Sequence, residues 1–177
     1  SEGKIVSAFH SKAGAPHAEI EVFQKAKELG MSTQNATLAV TLEPCCHHGK
    51  TPPCTEAILK AGIAKVLIGT SDPNPLVSGK GIEFLKTNNI EVQEKLLKEE
   101  CTLLNREWLL AHSRGRPFVR VKMATSLDGS FASEKGQSKW ITGPVARNIG
   151  HELREKSHLI ISGTGTLLKD NPSFTAR

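Results

Sequence analysis

Three cysteines and two histidines crowd into positions 41–54, TLEPCCHHGKTPPC, a stretch broken by Pro and Gly. Soft donors at this density constrain the fold before any other feature does. A catalytic zinc takes three protein ligands and keeps one position open. The backbone must therefore bring some of these groups, and not all of them, to one point. Cys45 and Cys46 are adjacent, too close for both to complete a comfortable tetrahedron, which makes Cys54 the better second thiolate. TLAVTL at 37–42 reads as a buried strand that runs straight into the segment, and CTEAILKAG reads as a helix opening near Cys54. A thiolate at Cys54 would gain from the N-terminus of that helix.

A third ligand lies upstream, where PHAE at 16–19 supplies His17 and Glu19. Residues two apart on a helix do not face the same way. His17 and Glu19 can share a site only at a helix's first turn, with the metal off its N-terminal end, and Pro16 suits such a start. His17, Glu19 and Cys45 match the pattern of zinc deaminases, in which one His and two Cys hold the metal and the Glu moves protons. That pattern has two residues between its cysteines, whereas eight separate Cys45 from Cys54. The intervening CHHGKTPP then bulges beside the metal as an insertion. Cys46 reads as a non-ligand, His48 as a loop residue, and Cys101, beside Leu103 and Leu104, as a buried apolar thiol.

An even number of cysteines also fits two disulfides in a secreted chain. The first residues, SEGKIVSAFH, carry no apolar core after the charge, so they do not read as a signal peptide. Metal binding or catalysis in a cytoplasmic protein is the better reading. The hydrophobic share of 38% and charged share of 23% fit a soluble globular chain. No apolar run approaches the roughly 18 residues of a membrane span. The net charge of +5 invites a polyanionic partner, but its distribution is uneven. Residues 1–113 hold 12 Lys/Arg against 13 Asp/Glu, a balance of −1, and residues 114–177 hold 11 against 5, a balance of +6. The Cys/His loop thus sits in a near-neutral half, and the second half is suited to a small phosphorylated ligand or a polyanion.

KIVSAFH at 4–10 reads as a strand, HAEIEVFQKAKEL at 17–29 as a helix stopped by Gly30, and AKVLIGT at 64–70 as a second buried strand. A turn-rich loop, SDPNPLVSGKG, precedes a helix at GIEFLKTNN, a strand at IEVQE, and one long helix over KEECTLLNREWLLAHS. This alternation predicts an α/β layer with a largely parallel sheet. SRGRP at 113–117 is the joint to a second unit, with strands expected in FVRVKMATSLDG and HLIISGTG and a helix in PVARNIGHELREK. The second unit has no GxGxxG after a strand, so a Rossmann site is not supported. GTGT at 163–166 is a short Gly turn into a possible helix, where backbone N–H groups can meet phosphate.

The order HAE, EPC-x-HHGKTPPC, DPNP and GKG, then RPFVRVKMATSLDG, SKWITGP and GTLLKDNPSFTAR, resembles the bifunctional riboflavin-biosynthesis deaminase/reductase family. The resemblance covers essentially the whole chain. It implies a cytidine-deaminase-like three-layer α/β domain at 1–113, without that family's first helix and strand, followed at 114–177 by part of a dihydrofolate-reductase-like domain. The implied chemistry is hydrolytic deamination of 2,5-diamino-6-(5-phosphoribosylamino)pyrimidin-4(3H)-one, then NADPH-dependent reduction of the ribosyl group to ribityl. Carried over by position, His17, Cys45 and Cys54 hold Zn2+ and Glu19 is the proton shuttle. His10, His47, Lys50, Asp72 and Asn74 meet the substrate, although Asp72 also suits a plain Asx turn. In the second unit Ala124, Trp140, Thr166 and Asp170 match NADPH contacts. Ser138, Arg154, Phe174 and Arg177 match substrate contacts, with Lys122 in the active-site strand. The resemblance also implies a homo-oligomer whose partner is a small phosphorylated pyrimidine, with neither nucleic acid nor membrane.

Two rivals remain at this stage. A nucleoside or tRNA-adenosine deaminase would share the zinc site, but the RNA enzyme needs a basic groove beside it, which the −1 balance disfavours. A purely structural zinc module would carry the same ligands and make no use of Glu19.

Overall fold

In a computed structural model the described residues are 3–12, 14–49 and 51–176. The chain divides after Phe118 into two compact units, Ser1–Phe118 and Val119–Arg177.

In the first unit α1 (Ala18–Glu28) precedes β1 (Thr37–Leu42), α2 (Cys54–Lys60), β2 (Lys65–Thr70), α3 (Lys80–Thr87) and β3 (Glu91–Glu94). The strands pair in parallel in the order β1-β2-β3, with Leu38 opposite Val66 and Val66 opposite Val92. Right-handed crossovers stepping one way across a sheet place their helices on one face. Accordingly Ile58 of α2 and Ile82 and Leu85 of α3 close over Leu38, Val66 and Ile68, with Val22 and Phe23 of α1 at the margin. Ile58, Val66 and Leu85 have no exposed surface. Each such side chain contributes about 1.5–3 kcal/mol by leaving water.

The opposite face takes α4 (Lys98–Leu104), which is followed by α5 (Arg106–Arg114). A Cβ at Gly69 of β2 would collide with the Cys101 side chain of α4 and the carbonyl of Thr41. Glycine is needed there for close approach, not for a special backbone angle. Cys101 is half-buried rather than buried, and its Sγ faces the Leu96 carbonyl at 3.9 Å. Helix, sheet and helix thus form the three layers.

Two expectations fail in this unit. Residues 4–10 form no strand: Ile5 and Phe9 are 93% and 77% exposed, and no neighbouring strand pairs with them among the described residues. The long helix is broken at Asn105, whose φ of −96° and ψ of 14° end α4 and begin α5. Its side-chain amide donates to the Cys101 carbonyl at 2.8 Å, the local competition with helix bonding that Asn offers.

The second unit carries α6 (Pro144–Glu155), entered through Pro at its first position, and α7 (Thr164–Asp170). A turn at 126–130 is closed by Ser126 N–H donating to the Ser130 carbonyl at 3.0 Å. No strand occurs here among the described residues, against expectation for 118–129 and 158–165. Val119, Val121, Leu159 and Ile161 have the composition of strands but are largely exposed. A strand is a relation between two segments, and neither of these is paired into a sheet among the described residues.

Candidate active site

The C-terminal ends of β1 and β2 frame the site, the edge where open α/β sheets present ligands. Past β1 the chain turns through Glu43 and Pro44 to Cys45. Cys54 is the first residue of α2, and its backbone N–H donates to Cys45 Sγ at 3.3 Å. Thr55 N–H donates to the Cys45 carbonyl at 3.1 Å. The start of α2 is thereby tied to the strand end, with eight residues looped out between.

His17 is the N-cap of α1, and its ring makes no capping bond. It faces the thiols instead: Nδ1 lies 3.2 Å from Cys54 Sγ and 3.6 Å from Cys45 Sγ. Pro16 stands one residue before the cap rather than inside the helix. One donor atom from each of His17, Cys45 and Cys54 falls within 4.8 Å of the others. Ligands bound at zinc's usual 2.0–2.3 Å around a tetrahedral centre stand about 3.5 Å apart, so the set fits that ion.

The charges agree with this fit. Cys45 is pulled down to about 5, first by a hydrogen bond from Cys54, with burial opposing. Cys54 moves the other way, pushed up by giving that hydrogen bond and by its own burial. A half-buried and a buried sulfur sharing one proton are poised for a cation, which would stabilise both thiolates at once.

Glu19 stands in the first turn of α1, close enough to Cys45, His17 and Cys54 to feel the charge of all three. Burial pushes its carboxyl above the usual carboxylate range. A carboxyl raised in this way takes up a proton more readily than an exposed one, as a proton shuttle must.

Around this centre the predicted substrate residues fall unevenly. His10 stands edge-on to His17, ring centres 5.5 Å apart, with Nδ1 2.9 Å from the Pro16 carbonyl. His47 has a buried Nδ1 without a hydrogen-bond partner among the described residues. Asp72 is buried and its Oδ1 accepts from Asn74 N–H at 2.8 Å, while Asn74 Oδ1 accepts from Leu76 N–H at 3.0 Å. Both therefore form Asx turns. Lys50 lies outside the described residues. Cys46 stands apart from the donor cluster, its thiol 3.6 Å from the Leu76 carbonyl and pushed up by burial and by Glu43.

Sequence reasoning missed Glu43. It is 3% exposed, and its carboxylate accepts backbone N–H groups of Asp72 (3.3 Å), Gly79 (3.1 Å), Gly81 (3.2 Å) and Ile82 (3.4 Å). It joins the end of β1 to the 71–79 loop and caps α3, holding the wall of the site to its floor. The only signal was a carboxylate between a buried strand and the cysteine.

In the second unit Arg147 lies over the Trp140 ring at 4.4 Å and donates to the Thr142 carbonyl at 2.6 Å. The Lys122 stem runs beside Gly150 of α6. Arg154, on α6, reaches the segment containing Phe174 through a 3.1 Å hydrogen bond to the Thr175 carbonyl. Ser138 is half-buried, as is Ala124, whereas Thr166 and Asp170 are exposed on α7. No side-chain hydrogen bond joins Ala124, Trp140, Thr166 and Asp170 among the described residues. Arg177 lies outside them.

Two family models match parts of the chain. The cytidine and deoxycytidylate deaminase zinc-binding region matches residues 1–70, and the RibD C-terminal domain matches residues 117–177. The riboflavin biosynthesis protein RibD of Aquifex aeolicus is 45% identical over 99% of this chain and 49% of its own length. That of Escherichia coli is 42% identical over 99% of this chain and 47% of its own. A crystal structure of a diaminohydroxyphosphoribosylaminopyrimidine deaminase/5-amino-6-(5-phosphoribosylamino)uracil reductase from Thermotoga maritima has a TM-score of 0.90 at 46% identity. It covers 100% of this chain and 50% of that one. The chain spans about half the length of the relatives it matches.

Proposed function

The chain belongs, over the length it spans, to the riboflavin biosynthesis protein RibD family, and on that premise we propose a pair of consecutive activities. Residues 1–113 deaminate the phosphorylated diaminopyrimidinone, and residues 114–177 belong to the reductase that acts next. The observation that carries this is the meeting of His17, Cys45 and Cys54 within 4.8 Å, with the Glu19 carboxyl beside them.

His17, Cys45 and Cys54 hold zinc. The chemistry a zinc held there would supply is a lowered pKa, about 7, for a bound water, which would make a nucleophile available at neutral pH. Glu19 takes a proton from the attacking water and delivers it to the departing amine, a role suited to a carboxyl raised by burial. His47, whose buried Nδ1 has no partner among the described residues, hydrogen-bonds the substrate, as does His10 beside His17. Asp72 and Asn74 shape the wall through their Asx turns and present their remaining polar atoms to the ribose phosphate, and Lys50 supplies charge to it.

In the second unit Ala124, Trp140, Thr166 and Asp170 contact NADPH, which when bound supplies the hydride for C1′ of the opened ribose. Lys122, Ser138, Arg154, Phe174 and Arg177 take the sugar phosphate. The +6 balance of 114–177 suits two anionic ligands. Four free thiols fit a reducing cytoplasm, and no helix of the described residues is long and apolar enough to cross a membrane. Exposed Leu103 and Leu104 favour a homo-oligomer, and the near-neutral first unit favours a small-molecule substrate over a nucleic acid.

The test is ammonia release from the diaminopyrimidinone ribosyl phosphate by zinc-loaded protein. Glu19→Gln should keep its zinc and lose at least about a hundredfold in rate. Full release by that variant, or none by the wild type, would sink the reading; NADPH oxidation checks the second step separately.

A further inference from the structure

His151 precedes Arg154 by one turn on α6 and faces the same way. Arg154 Nη2 donates to His151 Nδ1 at 2.7 Å, and Arg154 Nε donates to the Thr175 carbonyl at 3.1 Å. His151 Nδ1 also lies 3.3 Å from that carbonyl. Nδ1 cannot accept from Arg154 and donate to Thr175 together. The shorter contact, with a guanidinium that can only donate, makes Nδ1 the acceptor and puts the ring proton on Nε2. Both contacts use the Nε–Nη2 edge of the guanidinium. They leave Nη1 and the second N–H of Nη2 as a fork, the geometry that grips phosphate oxygens in pairs. Arg154 and His151 are both half-buried, so the arrangement is packed rather than splayed in water.

We propose that His151 is a positioning residue: its neutral ring, with the Thr175 carbonyl, aims the Arg154 fork at the phosphate of the sugar-phosphate substrate. This rests on the reading that Arg154 binds that phosphate. Without the acceptor at His151, an arginine on a flexible stem spreads over several rotamers, and the cost of ordering it falls on the ligand. Thr175 also fixes the chain next to Phe174, so one contact orders both the arginine and the segment beside it.

Ribose 5-phosphate and ribose are the probes, titrated calorimetrically into the full chain, with Arg154→Ala, His151→Leu and His151→Asn compared. Asn offers an oxygen near the place of Nδ1; Leu fills the space without an acceptor. Arg154→Ala should abolish the preference for the phosphorylated sugar. His151→Leu should weaken ribose 5-phosphate about tenfold while leaving ribose and the thermal midpoint unchanged, and His151→Asn should recover most of the loss. A His151→Leu protein that binds as wild type while Arg154→Ala does not would overturn the positioning role alone. Equal losses in His151→Leu and His151→Asn would overturn it too, since shape and not the acceptor would then matter. Unchanged phosphate preference in Arg154→Ala would remove the reading underneath, and the inference with it.

Discussion

At the scale of single residues, chemistry was legible where the side chain itself does the work. Donor types name their own use, so His17, Cys45 and Cys54 stand out in a bare sequence, and geometry then brings them within 4.8 Å. Glu43 was illegible because its carboxylate serves backbone groups 29 to 39 positions away, and no local pattern records such a service. Glu43→Gln would turn an amide N–H₂ towards buried N–H donors. We expect a loss of about 2–3 kcal/mol in thermal or urea unfolding, against less than about 0.5 kcal/mol for Glu83→Gln at an exposed position on α3. The thiols carry a second prediction. In the metal-free protein Cys45, at about 5, is already a thiolate at pH 8, whereas Cys54 is pushed up and keeps its proton. Zinc must displace that proton, so acid opposes binding. Calorimetry at pH 8 in buffers of different ionisation enthalpy should count about one proton released per zinc; two would show that both thiols start protonated.

At the scale of elements, the sequence was most informative where burial and periodicity coincide. TLAVTL is a strand over its whole length, and the helix expected at 17–29 runs over Ala18–Glu28 between its caps. The failures share one cause: KIVSAFH, FVRVKMATSLDG and HLIISGTG have strand composition, but pairing is decided by what lies alongside, which composition does not record. The break at Asn105 is a related miss, since one amide competing for a carbonyl outweighs a helical pattern on both sides. Leu85 tests the packing account. It is fully buried under the sheet, whereas Leu103 on α4 is 70% exposed. Leu85→Ala should cost about 2–5 kcal/mol and Leu103→Ala less than about 1 kcal/mol, both read from denaturant midpoints. Equal costs would mean that the core does not lie between α3 and the sheet.

At the scale of the molecule, the chain divides its labour as it divides its charge. The near-neutral unit holds a compact parallel sheet with the donor cluster at its carboxyl edge. The basic unit holds α6 and α7, with Arg147 and Arg154 on α6. The unequal charge of the halves was visible from the start; the crossing of α1, the end of β1 and the start of α2 at one point was not. The central claim is that this crossing is a zinc site made by the outer cysteines of the loop and a histidine outside it. Zinc content per chain, measured after equilibration and desalting, tests it directly in wild type, His17→Ala, Cys45→Ser, Cys54→Ser and Cys46→Ser. About one zinc per chain is predicted for wild type and Cys46→Ser, with loss or marked weakening in the other three. Zinc lost from Cys46→Ser but retained in Cys54→Ser would contradict the account.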